Sequence, residues 1–443
     1  MREGIDDGER IQRPTRFRWM VLGLIFLLYS IAAADRANIG IVLPSLSEEF
    51  GLSKTQAGAL ASLFFIAYAA GQVPAGFLIK RMGVRKVLPI SLILTSVFTA
   101  CHAFANSVFA LKSLRVLLGF SEAPIAAASV TSVNNWFPKK EKGTAAGIFF
   151  ASTKAGPAIV PFIGGIIIAV SSWHWVFLAF AIPGILLPFI WLALVPDRPG
   201  DSRHVNAAEA ELIESDDASL RENGGSTRPA RSFPVLDKLI RAREFKARTA
   251  SKEVFRTWSI WGASLGYFLF VGIMNVILAW LPTYLAEERG LSIVSTGLLA
   301  SMPFVGAVIG NVAGGLISDR VFDGRRKPVM MFSCLMTTVV MIWLMEAPEN
   351  PVALALVLSV TGFLIAIGFS QYAIYTAGLT SKAMFPIATG ILNTLGQLGG
   401  AALPFVAGMI LDASTWTTLF ALMASLGVAA FVILATITEP LRA

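Results

Sequence analysis

Asp35 and Arg36 are adjacent ionisable residues inside a long apolar stretch, and they are the first candidates for chemistry in this sequence. Residues 22–34 are almost continuously apolar, and the run resumes at residues 39–43. An ionised side chain in a membrane-spanning helix costs roughly 2.5–3.5 kcal/mol, so such groups usually face a cavity, a partner or a substrate. The alternative is an ion pair at the membrane surface that reaches water. Because neighbouring residues point in different directions on a helix, we expect Asp35 and Arg36 to contact different partners.

Arg115, Glu122 and Lys154 are further charged residues inside later apolar stretches. Arg115 and Glu122 lie two helical turns apart on one face, about 10.5 Å along the axis. Counting from the ends of the stretches places Asp35 at the depth of Arg115, and Glu122 at the depth of Lys154. We therefore predict that Asp35 pairs with Arg115 or Arg36. Glu122 is predicted to pair with Lys154, and the alternative, for Arg115 in particular, is a fixed bridge between helices.

These five charges suggest how an anion and a proton could be coupled. Two carboxylates and three cations give the interior a net charge of +1, which becomes +2 when one carboxylate is protonated. An anion then binds better to the protonated state, and by linkage it raises the proton affinity of that carboxylate equally. The second half of the chain carries neutral polar groups in its apolar stretches instead, suited to hydrogen bonds with hydroxyl groups or between helices. They are Asn275, Ser370, Gln371, Tyr372, Tyr375, Asn393 and Gln397.

Twelve apolar stretches, each long enough to cross a bilayer as a helix, predict an all-α membrane protein. They lie near residues 19–43, 55–79, 86–105, 108–135, 144–170, 173–195, 257–281, 294–318, 328–346, 351–379, 385–411 and 416–437. The polar segment 196–256 is the predicted linker between two six-helix bundles, at 19–195 and 257–443. Within it, residues 206–220 have helical character, and residues 222–229, rich in Gly, Ser and Thr, are expected to be mobile.

The composition agrees with a polytopic membrane protein, because 55% of the residues are hydrophobic, only 14% are charged, and the mean hydropathy is +0.68. The net charge of +8 does not indicate nucleic-acid binding, since the basic residues lie in short runs between apolar stretches. Cys101 and Cys334 lie in apolar runs and lack metal or redox spacing. We expect no metal site, no cofactor beyond the proton, and no cleavable signal peptide.

The basic residues predict the orientation, because they follow alternate stretches and Lys and Arg concentrate in cytoplasmic loops. A basic tail occupies residues 1–18, and both termini and the linker are predicted to be cytoplasmic. The basic loop residues are Lys80, Arg81, Arg85, Lys86, Lys139, Lys140, Lys142, Arg320, Arg325, Arg326, Lys327 and Lys382.

The two halves repeat in sequence. Residues 76–86 resemble 315–327, and matches such as Gly147 with Gly390 and Gly165 with Gly408 recur at constant separation. Gln397 occupies the repeat position of Lys154. Six stretches per half preserve orientation, which predicts two parallel halves with the substrate held between them near the midplane.

Both loop motifs resemble the G-x-x-x-D-R-x-G-R-[RK] signature of the major facilitator superfamily. Its gating residues are Gly76, Arg81, Gly83 and Arg85 in the first copy, and Asp319, Arg320 and Arg325 in the second. Five further stretches are similar to the anion:cation symporter branch, which includes bacterial carriers for galactonate, glucarate and hexuronates and animal sialic-acid carriers. They are Asp35-Arg36-Ala-Asn38, residues 67–76, residues 115–124, Trp136-Phe137-Pro138 and residues 280–285.

The resemblance implies roles for individual residues. Asp35 and Glu122 would take the proton, while Arg36, Tyr68 and Lys154 would hold the substrate. Other candidate substrate contacts are Arg115, Asn275, Ser370, Tyr372, Asn393 and Gln397.

Two departures qualify this resemblance. Lys80 replaces the usual Asp of the first loop motif, so residue 80 cannot supply the acidic partner of a gating ion pair. Lys154 stands where several sugar-acid carriers have a neutral side chain, which could favour a more highly charged carboxylate.

The expected function is proton-coupled uptake of an organic anion, most simply a sugar acid, by a monomer in the lipid bilayer of a bacterial inner membrane. The alternatives are an exchanger or an effluxer of organic anions. A receptor built on the same scaffold is a third alternative, ranked behind these two. The sequence lacks the GxxxxGK[ST] loop of an ATP-driven pump, and its two related halves do not suit a channel. We expect no enzymatic activity and no nucleic-acid partner.

Overall fold

Twelve helices long and apolar enough to cross a membrane make up the described part of this computed structural model, residues 14–215, 233–381 and 384–441. Those of the first half are α1 (Phe17–Phe50), α2 (Lys54–Met82), α3 (Val84–His102), α4 (Val108–Trp136), α5 (Lys139–Val170) and α6 (Trp173–Leu194). Those of the second half are α10 (Trp258–Thr283), α11 (Ile293–Arg320), α12 (Lys327–Met345), the pair α13 (Pro351–Ala366) and α14 (Phe369–Leu379), α15 (Phe385–Ala413) and α16 (Trp416–Thr436). The predicted all-α, twelve-helix architecture is confirmed.

The tenth crossing is interrupted between α13 and α14, at Gly368. A Cβ atom at Gly368 would lie 2.7 Å from the Cβ of Ser333 on α12, so only glycine permits this close approach. The Ser333 hydroxyl donates to the carbonyl oxygens of Leu364 and Ile365, at 3.1 and 2.6 Å. A break inside a membrane requires such partners, because water is absent there.

The segment between the halves is folded onto both of them rather than being a simple tether. The segment contains three short α-helices, α7 (Ala207–Ser215), α8 (Pro234–Leu239) and α9 (Ser251–Arg256), and the strand β1 (Ala242–Glu244). A second strand, β2 (Glu439–Leu441), follows the last membrane helix. β1 pairs in parallel with β2. The helix predicted at 206–220 is therefore found in its first part. Residues 1–13, 216–220, the segment 222–229 predicted to be mobile, and Lys382 lie outside the described residues.

The two halves pack against each other with the two-fold relation that the repeats predict. We call the side that carries Arg81, Arg85 and Arg325 the basic side. At the opposite side, a Cβ atom at Gly165 of α5 would lie 2.8 Å from the Ile293 carbonyl oxygen at the start of α11. At its repeat mate Gly408 of α15, a Cβ atom would lie still closer to the Lys54 carbonyl oxygen at the start of α2.

Glycines near the basic side have the opposite environment. At Gly147 and its repeat mate Gly390, and likewise at Gly76 and Gly315, no described atom lies within 4 Å of an added Cβ position. The halves are therefore in close contact at the side opposite the basic side, whereas these four glycines near the basic side contact no neighbouring helix of the described chain.

An electrostatic seal closes the opposite side. The Asp412 carboxylate of α15 accepts the backbone N–H groups of Lys54 and Thr55, at 2.7 and 2.8 Å, so it caps the first turn of α2 from the other half. The Lys54 ammonium also forms an ion pair with Glu287. An anionic group at a helix N-terminus is favourable because the free N–H groups and the helix dipole both attract it.

A buried carboxylate holds α7 on the first half. Glu209 is fully buried and accepts hydrogen bonds from the Thr15 hydroxyl (2.5 Å) and from the backbone N–H groups of Phe17 (3.0 Å) and Arg18 (3.2 Å). The Arg18 guanidinium also binds Glu209 at 2.8 Å and Glu141, in the first turn of α5, at 2.7 Å. Burial opposes ionisation, but the hydrogen bonds from Thr15 and Arg18 hold the pKa of Glu209 below its ordinary value of 4.5.

We expect Glu209→Ala to destabilise the protein by about 3 kcal/mol, because it leaves several buried donors without an acceptor. A carboxyl group with a depressed pKa stabilises the fold above its ordinary value, and this stability is lost as the pH falls through the lowered pKa. The difference in melting temperature between wild type and Glu209→Ala should therefore be full at pH 7 and shrink below about pH 4. Glu211→Ala is the control, since Glu211 is exposed on the same helix. Equal melting temperatures for both variants would contradict this role of Glu209.

Candidate functional site

Arg36 and Glu122 form an ion pair in the interior of the first half. The Nη2 atom of Arg36, on α1, lies 2.5 Å from Oε1 of Glu122, on α4. Glu122 is 1% exposed, whereas the Arg36 side chain is 19% exposed. The guanidinium also lies 5.5 Å from the ring centres of Phe64 and Tyr68 on α2, a favourable cation–π arrangement. Arg36 is thus held by α2 and α4 while part of it stays accessible.

The predicted pairing of Glu122 with Lys154 is wrong, because Arg36 occupies the carboxylate. The depth count gave the level of each charge along its helix but not the direction in which its side chain points. On an α-helix, consecutive residues are rotated by about 100°. Arg36 therefore faces α2 and α4, whereas Asp35 faces α3.

Asp35 is fully buried, and it accepts a hydrogen bond from the Ser96 hydroxyl of α3, at 3.1 Å. Its other oxygen, Oδ1, has no hydrogen-bond partner in the described chain. The predicted pairing of Asp35 with Arg115 or Arg36 is therefore wrong for this conformation. The expectation that Asp35 and Arg36 contact different partners is confirmed.

Arg115 is held by the backbone of α2. Its Nε atom donates to the Leu60 carbonyl oxygen at 3.1 Å, and its guanidinium lies 5.3 Å from the Phe64 ring centre. It is 1% exposed, and Nη1 lacks a hydrogen-bond partner in the described residues. This geometry fits a bridge between helices, which is the alternative given for Arg115 in the sequence analysis, better than a direct contact with substrate.

Lys154 reaches from α5 to the second half. Its ammonium lies 4.4 Å from the ring centre of Phe369 on α14 and forms no ion pair within the described ranges. A half-buried cation that contacts only an aromatic face can bind an anion without first breaking an ion pair. Its repeat mate Gln397 is also available, because its buried Oε1 atom lacks a hydrogen-bond partner in the same ranges.

The other polar candidates of the second half differ in how far their own fold engages them. Asn275 donates to the Val271 carbonyl oxygen at 2.9 Å, and the wholly buried Tyr372 hydroxyl lies 3.7 Å from Sγ of Cys334. Ser370 accepts a hydrogen bond from the neighbouring Gln371 at 3.1 Å, while Asn393 is exposed. Ser370 and Asn393 are therefore free to meet a ligand, whereas Asn275 and Tyr372 are engaged.

Sequence reasoning missed four aromatic residues of this region, namely Phe64, Phe369, Tyr29 and Tyr267. Tyr29 lies close enough to interact with Arg36 and Tyr68. In the other half, Tyr267 packs 5.9 Å from Phe369. The two tyrosines could have been found from the sequence, because the chain has only six tyrosines. A tyrosine inside an apolar span carries a hydroxyl that needs a hydrogen-bond partner.

The second gating motif forms ion pairs within its own half and with the segment between the halves. Asp319 pairs with Arg326 at 2.7 Å. Arg325 binds Asp237 of α8 through two nitrogens, at 2.6 and 3.0 Å. The hydrogen bond from Arg325 holds the pKa of Asp237 below its ordinary value. Arg320 is exposed.

In the first gating motif, the loop after α6 supplies the acidic group that Lys80 does not. Asp197 accepts the backbone N–H of Arg85 at 2.8 Å and lies against Gly83. A Cβ atom at Gly83 would lie 2.8 Å from this carboxylate, and its φ of 76° also favours glycine. Arg81 is exposed, and Gly76 faces open space.

The arrangement can bind an anion and a proton in competition with an internal ion pair. Arg36 and Lys154 provide positive charge, and Glu122 competes with any anionic ligand for Arg36. The described residues contain no group of three or more His, Cys, Asp or Glu side chains suited to a metal ion.

Comparison with known proteins agrees with this architecture. Residues 25–322 and 284–443 match the Major Facilitator Superfamily. A Bacillus subtilis protein named "Probable galactarate/D-glucarate transporter" is 27% identical over 420 residues, covering 91% of this chain and 87% of its own. A D-galactonate transporter of Escherichia coli is 28% identical over 405 residues, covering 90% of each chain.

A solved structure shows the same fold. The crystal structure of a D-xylose-proton symporter superposes with a TM-score of 0.72 at 18% identity, covering 95% of this chain and 98% of its own. The matched family spans both halves of the chain and both loop motifs. The chain therefore belongs to the major facilitator superfamily, and it is a membrane transporter rather than an enzyme.

Proposed function

We propose that this protein couples proton movement to the uptake of an organic anion, a sugar acid or related carboxylate, by alternating access. The observation that carries the proposal is the Arg36–Glu122 ion pair, 2.5 Å long and adjacent to the interior between the halves. The named substrates of the two relatives, galactarate or D-glucarate and D-galactonate, support a sugar acid.

The coupling follows from competition for one guanidinium. With Glu122 ionised, Arg36 is neutralised by its partner and binds a substrate carboxylate weakly. Protonation of Glu122 releases Arg36 as a cation, so the substrate binds more tightly. By linkage, the bound substrate raises the proton affinity of Glu122 by the same factor.

The remaining candidates have separate roles in this proposal. Tyr68 orients Arg36, and Lys154 provides a second positive contact for the anion. Ser370, Asn393 and Gln397 bind hydroxyl groups from the second half, while Asp35 is a second proton site on the far face of α1.

The orientation belongs to the same proposal. Lys and Arg are concentrated at the basic side, which the positive-inside rule assigns to the cytoplasm. The seal formed by Asp412 and Lys54 then faces the periplasm of a bacterial inner membrane. We propose that it acts as a monomer, since each chain contains both halves of the site.

The test begins with a thermal-shift screen of the purified protein against sugar acids, dicarboxylates and aromatic acids, because a specific ligand raises the melting temperature. The best ligand is then supplied to proteoliposomes with an inward proton gradient. Proton-coupled uptake predicts accumulation that collapses with a protonophore and needs no counter-substrate. Transport that requires an internal anion and ignores the gradient would instead identify an exchanger.

A further inference from the structure

A buried polar column connects Asp35 with the end of α3 opposite the basic side. It consists of Asp35 and Asn38 on α1 and of Ser96, Thr99 and His102 on α3. All five residues are at most 1% exposed. Both helices run in the same direction, and a spacing of three residues places their polar groups on successive turns of one face. The α3 members together extend about 9 Å along the axis.

The column contains a concentration of buried polar atoms that lack hydrogen-bond partners among the described residues. They are Oδ1 of Asp35, Oδ1 and Nδ2 of Asn38, Oγ1 of Thr99 and Nε2 of His102. Each such atom costs about 1–3 kcal/mol. Side chains that served only to join helices would bond to one another or to a backbone carbonyl, as Thr95 does on the same helix through the Ser91 carbonyl oxygen.

His102 stands at the outer end of the column. Its Nδ1–H donates to the Phe98 carbonyl oxygen at 2.7 Å, so Nε2 is the acceptor. The ring stacks on Phe177 of α6, with centres 5.0 Å apart. Helix α3 ends at His102, and Phe104 just beyond it is 75% exposed, so the column begins close to the surface.

The inner end of the column is Asp35. The Thr99 side chain lies close enough to interact with its carboxylate. The charged groups that interact electrostatically with the column come from α4, where Arg115 acts on His102 and Glu122 acts on Asp35. The column therefore runs from one membrane surface to a buried carboxylate, on a face of α1 different from that of Arg36.

We propose that this polar column is the route by which protons reach Asp35 from the side opposite the basic side. A proton binds Nε2 of His102 and passes to the Thr99 hydroxyl, which gives its own proton to Oδ1 of Asp35. The turn spacing of about 4.5 Å between His102 and Thr99 exceeds a hydrogen bond, so water bridges that step. The Thr99 side chain lies close enough to Asp35 to interact with it. No bond other than N–H and O–H forms or breaks. This route rests on the proton coupling proposed above.

The test compares gradient-driven uptake with substrate exchange at equal pH on both sides, which needs no net proton delivery. We expect Thr99→Val and His102→Phe to slow uptake at least about 10-fold while exchange stays within about twofold of wild type. His102→Phe keeps a ring to stack on Phe177. Lowering the outer pH by one unit should partly restore uptake, because proton supply limits the rate.

Thr95→Val is the matched control, since Thr95 is equally buried on α3 but bonds to Ser91 and Ser121. It should leave both rates within about twofold of wild type. Normal uptake in Thr99→Val and His102→Phe, or a parallel loss of uptake and exchange, would overturn the route. Wild-type protein that exchanges substrate but ignores the proton gradient would overturn the proposed coupling, and the route with it.

Discussion

Glu122→Gln should abolish proton-driven accumulation while substrate exchange continues. The amide cannot take up a proton and does not neutralise Arg36, so the substrate binds as if the site were permanently protonated. A gradient of two pH units supports about 100-fold accumulation when one proton moves with each monoanion. We expect the ratio in Glu122→Gln to fall to about 1, and its substrate affinity to become independent of pH between 5 and 8.

The measurement is uptake and counterflow exchange in proteoliposomes prepared from each variant. Glu48→Gln is the control, because Glu48 is exposed near the end of α1 and the chemical change is the same. It should accumulate substrate as wild type does. Retained accumulation in Glu122→Gln would remove Glu122 from the coupling step.

Arg36→Gln should have two separable consequences, one on stability and one on binding. Removing the guanidinium leaves the Glu122 carboxylate, 1% exposed, without its ionic partner, which costs about 3–5 kcal/mol. It also removes the main contact for the substrate carboxylate, so substrate affinity should fall more than about 100-fold.

The double variant Arg36→Gln with Glu122→Gln separates these consequences. It should recover most of the lost melting temperature, because no unpaired charge remains, but it should not recover substrate binding. Arg203→Gln serves as a control on an exposed arginine and should change neither quantity. Recovery of substrate binding in the double variant would contradict a direct contact between Arg36 and the substrate, because it would show that Arg36 serves only to neutralise Glu122.

The fold could be predicted almost completely from the sequence, because the cost of exposing polar backbone to lipid forces each long apolar stretch into a helix. The repeat of Gly147 and Gly165 as Gly390 and Gly408 also predicted the relation between the halves. What the sequence did not reveal is that these two pairs have opposite surroundings, crowded at one side and open at the other. That difference depends on how the two halves are oriented, which the local sequence does not specify.

The sequence predicted which charged residues belong to the candidate site, but it did not predict which of them form ion pairs with each other. Intramembrane charge identified Asp35, Arg36, Glu122 and Lys154, because such charge is expensive. Which residues pair depends on the rotation of each helix about its axis, because neighbouring side chains differ by about 100° in direction. For this reason Arg36, rather than Lys154, pairs with Glu122. The break at Gly368, which positions Phe369 beside Lys154, depends on contacts with α12 that local sequence does not specify.

The most direct test of the competition between a proton and the Arg36–Glu122 pair is the proton balance of substrate binding. Purified protein in weakly buffered detergent solution is mixed with the sugar acid identified by thermal shift, and the pH change is recorded. The account predicts net proton uptake by the wild-type protein near neutral pH and none by Glu122→Gln. Binding without any proton uptake, or with proton release, would contradict it.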